Sequence, residues 1–356
     1  MSIYEYSHGG NAVFEKGKSS VIDFSANINP LGIPQSVKDA IVKEIAYSDR
    51  YPDNFSTELR QRIGLFENVK PDWIFCGNGA SDIIFRLPRA VHAKRVMVTA
   101  PTFSDYERSA RSFGAEVIYH RLFSDNSFTV DSSIVEEVQR QKPDLVYICN
   151  PNNPSGQLTE ANVIKDLLDC CKQAGTWLAV DECFLDFTEQ ADRYTSKVFL
   201  EDYLNLVILK AFTKMFAIPG LRLGYALCAN EKLIEGFYFH GADWPVSNLA
   251  QAAGIAALED ADRFIAQTVE YTSGERARIE HGLTELGFKV FKASANYVFF
   301  QNKLPFDLHR ELDKFGIRIR SCGNYPGLDE SYCRIGVSDR ESNDRLLDVI
   351  GEIMKG

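Results

Sequence analysis

A chain of 356 residues, 45% hydrophobic and 25% charged, has ordinary globular composition and length for one large or two smaller domains. Its net charge of −10 argues against a nucleic-acid partner, though it leaves room for a local basic pocket that takes a small anion. No apolar run approaches ~20 residues, and the opening MSIYEYSHGGN lacks the basic and apolar regions of a secretion signal, so a cytoplasmic protein with no membrane contact is expected. The eight cysteines form no C-x-x-C pair and mostly sit in apolar runs, which reads as buried thiols in a reducing compartment and no metal site.

In chain order, residues 1–30 read as a polar, Gly-rich arm that leads into Asn27-Ile28-Asn29-Pro30-Leu31-Gly32. Helical patterns follow over 37–45 and 56–66, separated by the breaker Tyr51-Pro52-Asp53. From residue 73 strands and helices alternate. Strands are expected over 73–76, 95–99, 116–120, 145–149, 177–180, 206–209 and 224–228, with helices over 81–91, 104–113 and 160–173. That order predicts an α/β fold with a mostly parallel sheet, helices on both faces and ligands at the carboxyl ends of the strands. After Pro245 come helices over 246–258 and 261–286 and strands over 289–301, 317–320 and 332–337. A last helix then runs to about Met354, opened by a capping box from Ser338 to Glu341. The expected division is an arm (1–30), a large domain (31–245) and a smaller α+β domain (246–356).

The candidate chemistry lies at the strand ends. Lys214 follows the strand over 206–209, with Thr213 beside it and Arg222 eight residues on. Such an amine can condense with the aldehyde of a phosphate-bearing cofactor while the hydroxyl and guanidinium hold the phosphate. The spacing alone suits a solvated surface lysine equally well. Gly77-Asn78-Gly79-Ala80-Ser81-Asp82 turns from a strand into a helix, where exposed N–H groups favour an anion, although many such turns are only turns. It lacks the G-K-[ST] ending of a nucleotide-binding loop. Phe103 can stack on a flat ring or sit in the core. Asn150-Pro151-Asn152-Asn153-Pro154-Ser155-Gly156 is a polar, Pro-rich turn. Asp181 ends a buried strand, where an acid needs a partner: a protonated pyridine nitrogen, a helix N-terminus or a salt bridge. Arg320 and Arg334 flank a strand–turn–strand and offer forks for a carboxylate and a phosphate, and His8 on the arm can close over a substrate.

In order and approximate spacing, T-K-x-x-x-x-P-G-L-R-L-G-Y, the Gly-rich turn, N-P-N-N-P-S-G and A-V-D-E resemble the fold type I enzymes of pyridoxal 5'-phosphate (PLP), the aspartate aminotransferase superfamily. The resemblance covers nearly the whole chain. It implies a large, mostly parallel sheet domain plus a smaller α+β domain. It also implies Lys214 as the cofactor lysine, Gly79, Ala80, Ser81, Thr213 and Arg222 at the phosphate, and Phe103 over the ring. Asn153 falls at the phenolic oxygen and Asp181 at the pyridine nitrogen. Tyr51 matches a tyrosine that reaches the cofactor phosphate of a neighbouring subunit, which implies a homodimer with shared active sites. His8-Gly9-Gly10-Asn11, residues 23–32 and Arg320-Ser321-Cys322-Gly323-Asn324-Tyr325-Pro326-Gly327-Leu328 are similar to the threonine-phosphate decarboxylases of cobalamin biosynthesis. That implies decarboxylation of O-phospho-L-threonine to 1-amino-2-propanol phosphate. His8, Asn27 and Asn153 would contact the substrate, with Arg334 at its α-carboxylate and Arg320 at its phosphate, or the reverse. The alternatives are an O-phospho-L-serine decarboxylase, a histidinol-phosphate aminotransferase and, with no DNA-binding extension to favour it, a non-catalytic PLP-binding regulator. The chain departs from the aminotransferases in carrying Phe184 where they usually have Tyr, as the decarboxylases tend to. It has Ala211 where the family usually has Ser or Thr, and Lys210 where Arg is common.

Overall fold

The computed structural model describes residues 9–10 and 21–355. A short strand β1 (Ile22–Asp23) precedes helices α1 (Gln35–Glu44) and α2 (Thr57–Glu67). Next come β2 (Ile74–Asn78), α3 (Gly79–Ala90), β3 (Arg95–Ala100), α4 (Asp105–Ser112), β4 (Glu116–Arg121) and α5 (Ser133–Gln141). They are followed by β5 (Leu145–Cys149), α6 (Ala161–Ala174), β6 (Trp177–Asp181), α7 (Ala191–Tyr194), β7 (Leu206–Ala211) and α8 (Phe212–Met215). After β8 (Leu223–Leu227) lie α9 (Glu231–Phe239), α10 (Asn248–Leu258) and the 25-residue α11 (Ala261–Glu285). The last elements are β9 (Lys289–Phe291), β10 (Tyr297–Gln301), α12 (Leu308–Asp313), β11 (Ile317–Arg318), β12 (Arg320–Ser321), β13 (Tyr332–Gly336) and α13 (Arg340–Lys355).

The main sheet has seven strands in the order β2-β8-β7-β6-β5-β3-β4, parallel except for β8, which runs antiparallel to both neighbours. Its central strands are apolar on both faces because helices cover both. Met97, Val146, Ile148, Leu178, Val180, Leu206 and Ile208 join one core, and Val98, Leu145, Tyr147, Ala179, Val207 and Leu209 the other. This period of two decides which strand-end side chains share a face: Cys149 and Asp181 continue the second set, and Lys210 continues the first. A second sheet, β12-β13-β10-β9, is antiparallel and packs on α11 and α13 around Val298, Phe300, Ile335 and Leu346. α10 begins just past residue 245 and packs through Ala250 and Ala253 into the same core as Leu59 of α2 and Leu223 of β8.

Three expectations change. The run over 289–301 is two antiparallel strands, because Ser294 leaves the ladder to donate its N–H to the Gly156 carbonyl (2.9 Å). The run over 317–320 serves two sheets: Ile317 pairs with Ile22 of the arm in parallel, and Arg320 pairs with Arg334. The cap of α13 is Asp339, whose Oδ1 accepts the Ser342 N–H at 2.9 Å, rather than Ser338, whose hydroxyl is turned to the Asp339 carboxylate. The arm is fixed to the second sheet through Phe24, whose N–H donates to the Arg318 carbonyl (2.8 Å) and whose carbonyl accepts from Gly336 (2.7 Å). All eight cysteines are free, no described helix is long and apolar enough to cross a membrane, and no His/Cys/Asp/Glu group suited to a metal occurs among the described residues.

Gly224 of β8 lets the start of α3 lie against the sheet, since a Cβ there would stand 2.4 Å from the Ala80 nitrogen. Gly224→Ala should therefore cost about 1–3 kcal/mol by overpacking and displace the turn at Gly79. Gly274→Ala, on an open face of α11, should instead stabilise by about 0.5–1 kcal/mol. Thermal unfolding of the two variants checks both signs.

Candidate active site

The carboxyl ends of β3, β5, β6 and β7 open on one cavity of about 250 Å³. Asp181 at the end of β6, Phe103 after β3, Asn153 in the turn after β5 and Thr213 and Lys214 in α8 all line it. Ala80, Ser81 and Arg222 form its outer wall, and Asn27 of the arm with Arg334 of β13 closes the other side.

α8 is a four-residue turn that carries Lys214 straight off a buried strand. Burial is the main force on this amine, and the nearby Arg334 and Arg222 guanidiniums add to it against the opposing effect of the Cys183 thiol. Together they bring its pKa down to about 8. Among the described residues no carboxylate pairs with it, and its Nζ lies 6.0 Å from the centre of the Phe184 ring.

Lys210, four residues earlier, has the opposite surroundings. Burial disfavours its charge, but Asp186 (2.8 Å), Glu67 (3.1 Å) and the nearby Glu182 outweigh burial and hold it charged above the usual lysine range. Period two turns Lys210 to the other face of the sheet, so it does not supply the phosphate contact missing at Ala211.

Asp181 is buried, and burial pushes its carboxyl up despite the Cys183 N–H on Oδ1 (2.9 Å) and the Tyr106 hydroxyl on Oδ2 (2.6 Å). A cationic partner is what such a carboxyl lacks. Tyr106 is fully buried and stacked on Tyr147 with ring centres 4.8 Å apart. Sequence reasoning passed over it. Its one signal was a position three residues after Phe103, which places it on the first turn of α4 facing the strand ends.

At the other wall, Arg334 donates from Nη1 to Asn153 Oδ1 and from Nη2 to the Ser25 carbonyl (2.8 Å). Its Nε and both polar side-chain atoms of Asn27 are buried with no partner among the described residues. Buried polar atoms of this kind call for a ligand with acceptors and donors of its own. The turn before α3 is likewise shaped for close approach. Gly79 has φ +76°, and a Cβ on it would meet Arg222 Nη2 at 2.7 Å, so only glycine lets that guanidinium lie over the helix start. Ser81 Oγ is 3.1 Å from Asp105 Oδ2 and also faces the cavity.

Two expected residues stand elsewhere, and a third cannot be placed. Arg320 lines an adjoining recess that shares Gly9 and Ser25 with the main cavity. Its Nη2 donates to Asn324 Oδ1 (2.8 Å), and its guanidinium lies over Tyr325, which does line the main cavity. Tyr51 does not reach the cavity of its own chain; it is 79% exposed and stacks on Trp244 at 4.4 Å. His8 lies outside the described residues.

An amine with a midpoint near 8 makes a kinetic prediction. In protein freed of cofactor, the rate at which added PLP forms its Lys214-dependent visible band should rise about tenfold per pH unit and level off above pH 8. An unperturbed lysine would keep gaining rate to about pH 10.4. Stopped-flow absorbance across pH 6–10, with Lys214→Ala as the blank, reads the midpoint.

Residues 19–350 match the aminotransferase class I and II family. The chain is 33% identical to threonine-phosphate decarboxylase of Salmonella typhimurium over 365 aligned positions, covering 100% of this chain and 99% of that one. It is also 33% identical to histidinol-phosphate aminotransferase of Bacillus subtilis, covering 96% and 93% of the two chains. Among solved structures, histidinol-phosphate aminotransferase of Clostridium acetobutylicum superimposes with a TM-score of 0.87 at 29% identity, covering 94% of this chain and 99% of that one. The cofactor of the family is pyridoxal phosphate, and in this cavity the helix start, the aromatic wall, the buried acid and the Lys214 amine fit its phosphate, ring, ring nitrogen and aldehyde. The chain belongs to the aminotransferase class I and II family and is a PLP-dependent enzyme.

Proposed function

We propose that this enzyme decarboxylates O-phospho-L-threonine, releasing CO₂ and 1-amino-2-propanol phosphate. The observation that carries the reading is the pairing of Arg320 with Arg334 across β12 and β13. Opposed residues of an antiparallel pair share a face of the sheet, so two guanidinium forks are offered to one substrate with two anions a few bonds apart. An amino-acid phosphate carries a carboxylate and a phosphate in one molecule, whereas histidinol phosphate has the phosphate alone and its amino acceptor 2-oxoglutarate has two carboxylates and no phosphate. The buried Arg334, with its uncommitted Nε, suits the carboxylate, and Arg320 in the adjoining recess suits the phosphate. Phe184 supports the same reading, since it lines the cavity and brings no hydroxyl to a position where the aminotransferases usually have tyrosine.

The residues then divide the work. Gly79, Ala80, Ser81, Thr213 and Arg222 would hold the cofactor phosphate, Phe103 would cover the ring, and Asn153 would bond its phenolic oxygen. PLP when bound supplies an aldehyde for the substrate amine and a ring that takes up the electron pair released at Cα. Asp181, steadied by Tyr106, keeps a negative charge at the ring nitrogen. Arg334, Arg320 and Asn27 fix the substrate at both ends, which decides the Cα bond that breaks. Lys214 Nζ returns a proton to Cα. His8 of the arm is a further substrate contact. The exposed aromatics Tyr51, Phe55, Trp244 and Phe239 support a homodimer in which Tyr51 serves the partner's cofactor phosphate. The division into 1–30, 31–245 and 246–356 and a cytoplasmic setting complete the proposal.

The test is product analysis. The PLP-loaded enzyme with O-phospho-L-threonine and no keto acid should release CO₂ stoichiometrically with the amino-alcohol phosphate. O-phospho-L-serine should turn over less well, by the roughly 10–200-fold that one methyl can discriminate. Glutamate formed from histidinol phosphate and 2-oxoglutarate, with no CO₂ from either phospho-amino acid, would overturn the reading in favour of the aminotransferase.

A further inference from the structure

Lys214 stands on a helix of one turn, too short to hold itself in place. Such a turn leaves its last carbonyls, here those of Lys214 and Met215, with little helical pairing: the Lys214 carbonyl takes a long bond from the Ala217 N–H (3.4 Å). Both are met by one residue of the arm. Asn29, 3% exposed, donates its backbone N–H to the Lys214 carbonyl (3.2 Å) and its Nδ2 to the Met215 carbonyl (2.7 Å). Nδ2 also donates to the Thr268 hydroxyl of α11 (2.8 Å), and Oδ1 accepts the Leu31 N–H (2.9 Å). Both sides of the amide are therefore committed, and a side chain that only accepts, or has no polar atoms, cannot make the same set.

The same stretch of arm reaches the substrate wall. The Ser25 carbonyl accepts from Arg334 Nη2 (2.8 Å), and Asn27 brings its unpartnered amide to the cavity lining. Residues 25–29 thus join the expected carboxylate anchor to the backbone of the lysine turn. We infer that Asn29 is the positioning residue for Lys214: it ties the lysine turn to α11 and to the arm, and so sets where the amine stands relative to the substrate held by Arg334. This rests on the reading of Lys214 as the cofactor lysine. Asn29 touches neither substrate nor cofactor and acts through the turn.

A matched control separates positioning from mere stability. Asn343 is also buried and also tied to α11: Nδ2 donates to Glu275 Oε2 (2.8 Å) and to the Ser338 carbonyl (2.9 Å), and Oδ1 accepts the Ser338 N–H (3.1 Å). It does not line the cavity. PLP-loaded wild type, Asn29→Ala, Asn29→Asp and Asn343→Ala are compared for Tm, kcat, KM and the pH midpoint of the visible band of the lysine-bound cofactor. Assays are run well below every Tm. All three variants should lose several degrees of Tm. Both Asn29 variants should also lose about 10- to 100-fold in kcat, as a misplaced reacting group does, with KM changed by less than about threefold and the band midpoint displaced. Asn343→Ala should keep kcat within about twofold and an unmoved midpoint. An Asn29→Ala enzyme that loses Tm but keeps wild-type kcat and midpoint would overturn the inference. A wild type whose visible band survives Lys214→Ala would overturn the lysine assignment itself, and the inference with it. That outcome is read on the wild-type pair alone.

Discussion

A lysine attacks an aldehyde only as the free amine, and the surroundings of Lys214 make that form easier to reach than in an ordinary lysine. Burial beside the Arg334 and Arg222 guanidiniums makes the ammonium costly, and no described carboxylate offsets that cost. Four residues earlier, Lys210 sits among Glu67, Asp186 and Glu182 and holds its proton firmly. Glu67 is in turn brought down to about 2: burial opposes its charge, but Lys210, Lys197 and the Tyr225 hydroxyl outweigh it. A strand and the turn that follows it thus carry two lysines into opposite electrostatic surroundings. The sorting is done by the alternation of β7, which sends Lys210 to the face of Leu206 and Ile208 while Asp181 stays with Val207 and Leu209.

The remaining polar groups of the cavity follow the same logic of incomplete satisfaction. Asp181 is raised by burial and steadied, though not neutralised, by Tyr106 and the Cys183 N–H. Arg334 has two of its nitrogens bonded, and among the described residues neither its Nε nor the Asn27 amide has a partner. Each is costly by itself, and on the proposed reading each would be relieved by one part of a PLP–substrate pair: a cationic ring nitrogen, a carboxylate, a polar substituent. Binding energy is thus held at the reacting end, and ligand binding should stabilise the fold as it fills these valences.

Much of this was legible in the sequence because it sits at strand ends. The alternation from residue 73 onward located the sheet, and the ends of its strands located Lys214, Asp181, Asn153 and Phe103. The arginines were harder. A run such as 317–320 gives one apolar signal whether it makes one strand or two, so that its split between the arm and the second sheet, which sets Arg320 opposite Arg334, appeared only in three dimensions. Tyr106 and Asn29 were invisible for another reason. Their roles are hydrogen bonds to residues 75 and 186 positions away, and nothing in local periodicity marks a tyrosine or an asparagine that does this. Tyr51 marks a further boundary: its expected function belongs to a second subunit, and within one chain it is a surface ring stacked on Trp244.

The most direct test of the account asks which lysine carries the cofactor. The PLP-loaded enzyme is reduced with borohydride, digested, and the peptide bearing the pyridoxyl phosphate sequenced by mass spectrometry. Lys210 in β7 and Lys214 in the turn after it lie four residues apart, so the comparison is internal. The account predicts the label on Lys214, with Lys210 unmodified because its ammonium is held by Asp186 and Glu67. A label on Lys210, or one spread evenly between the two, would contradict it.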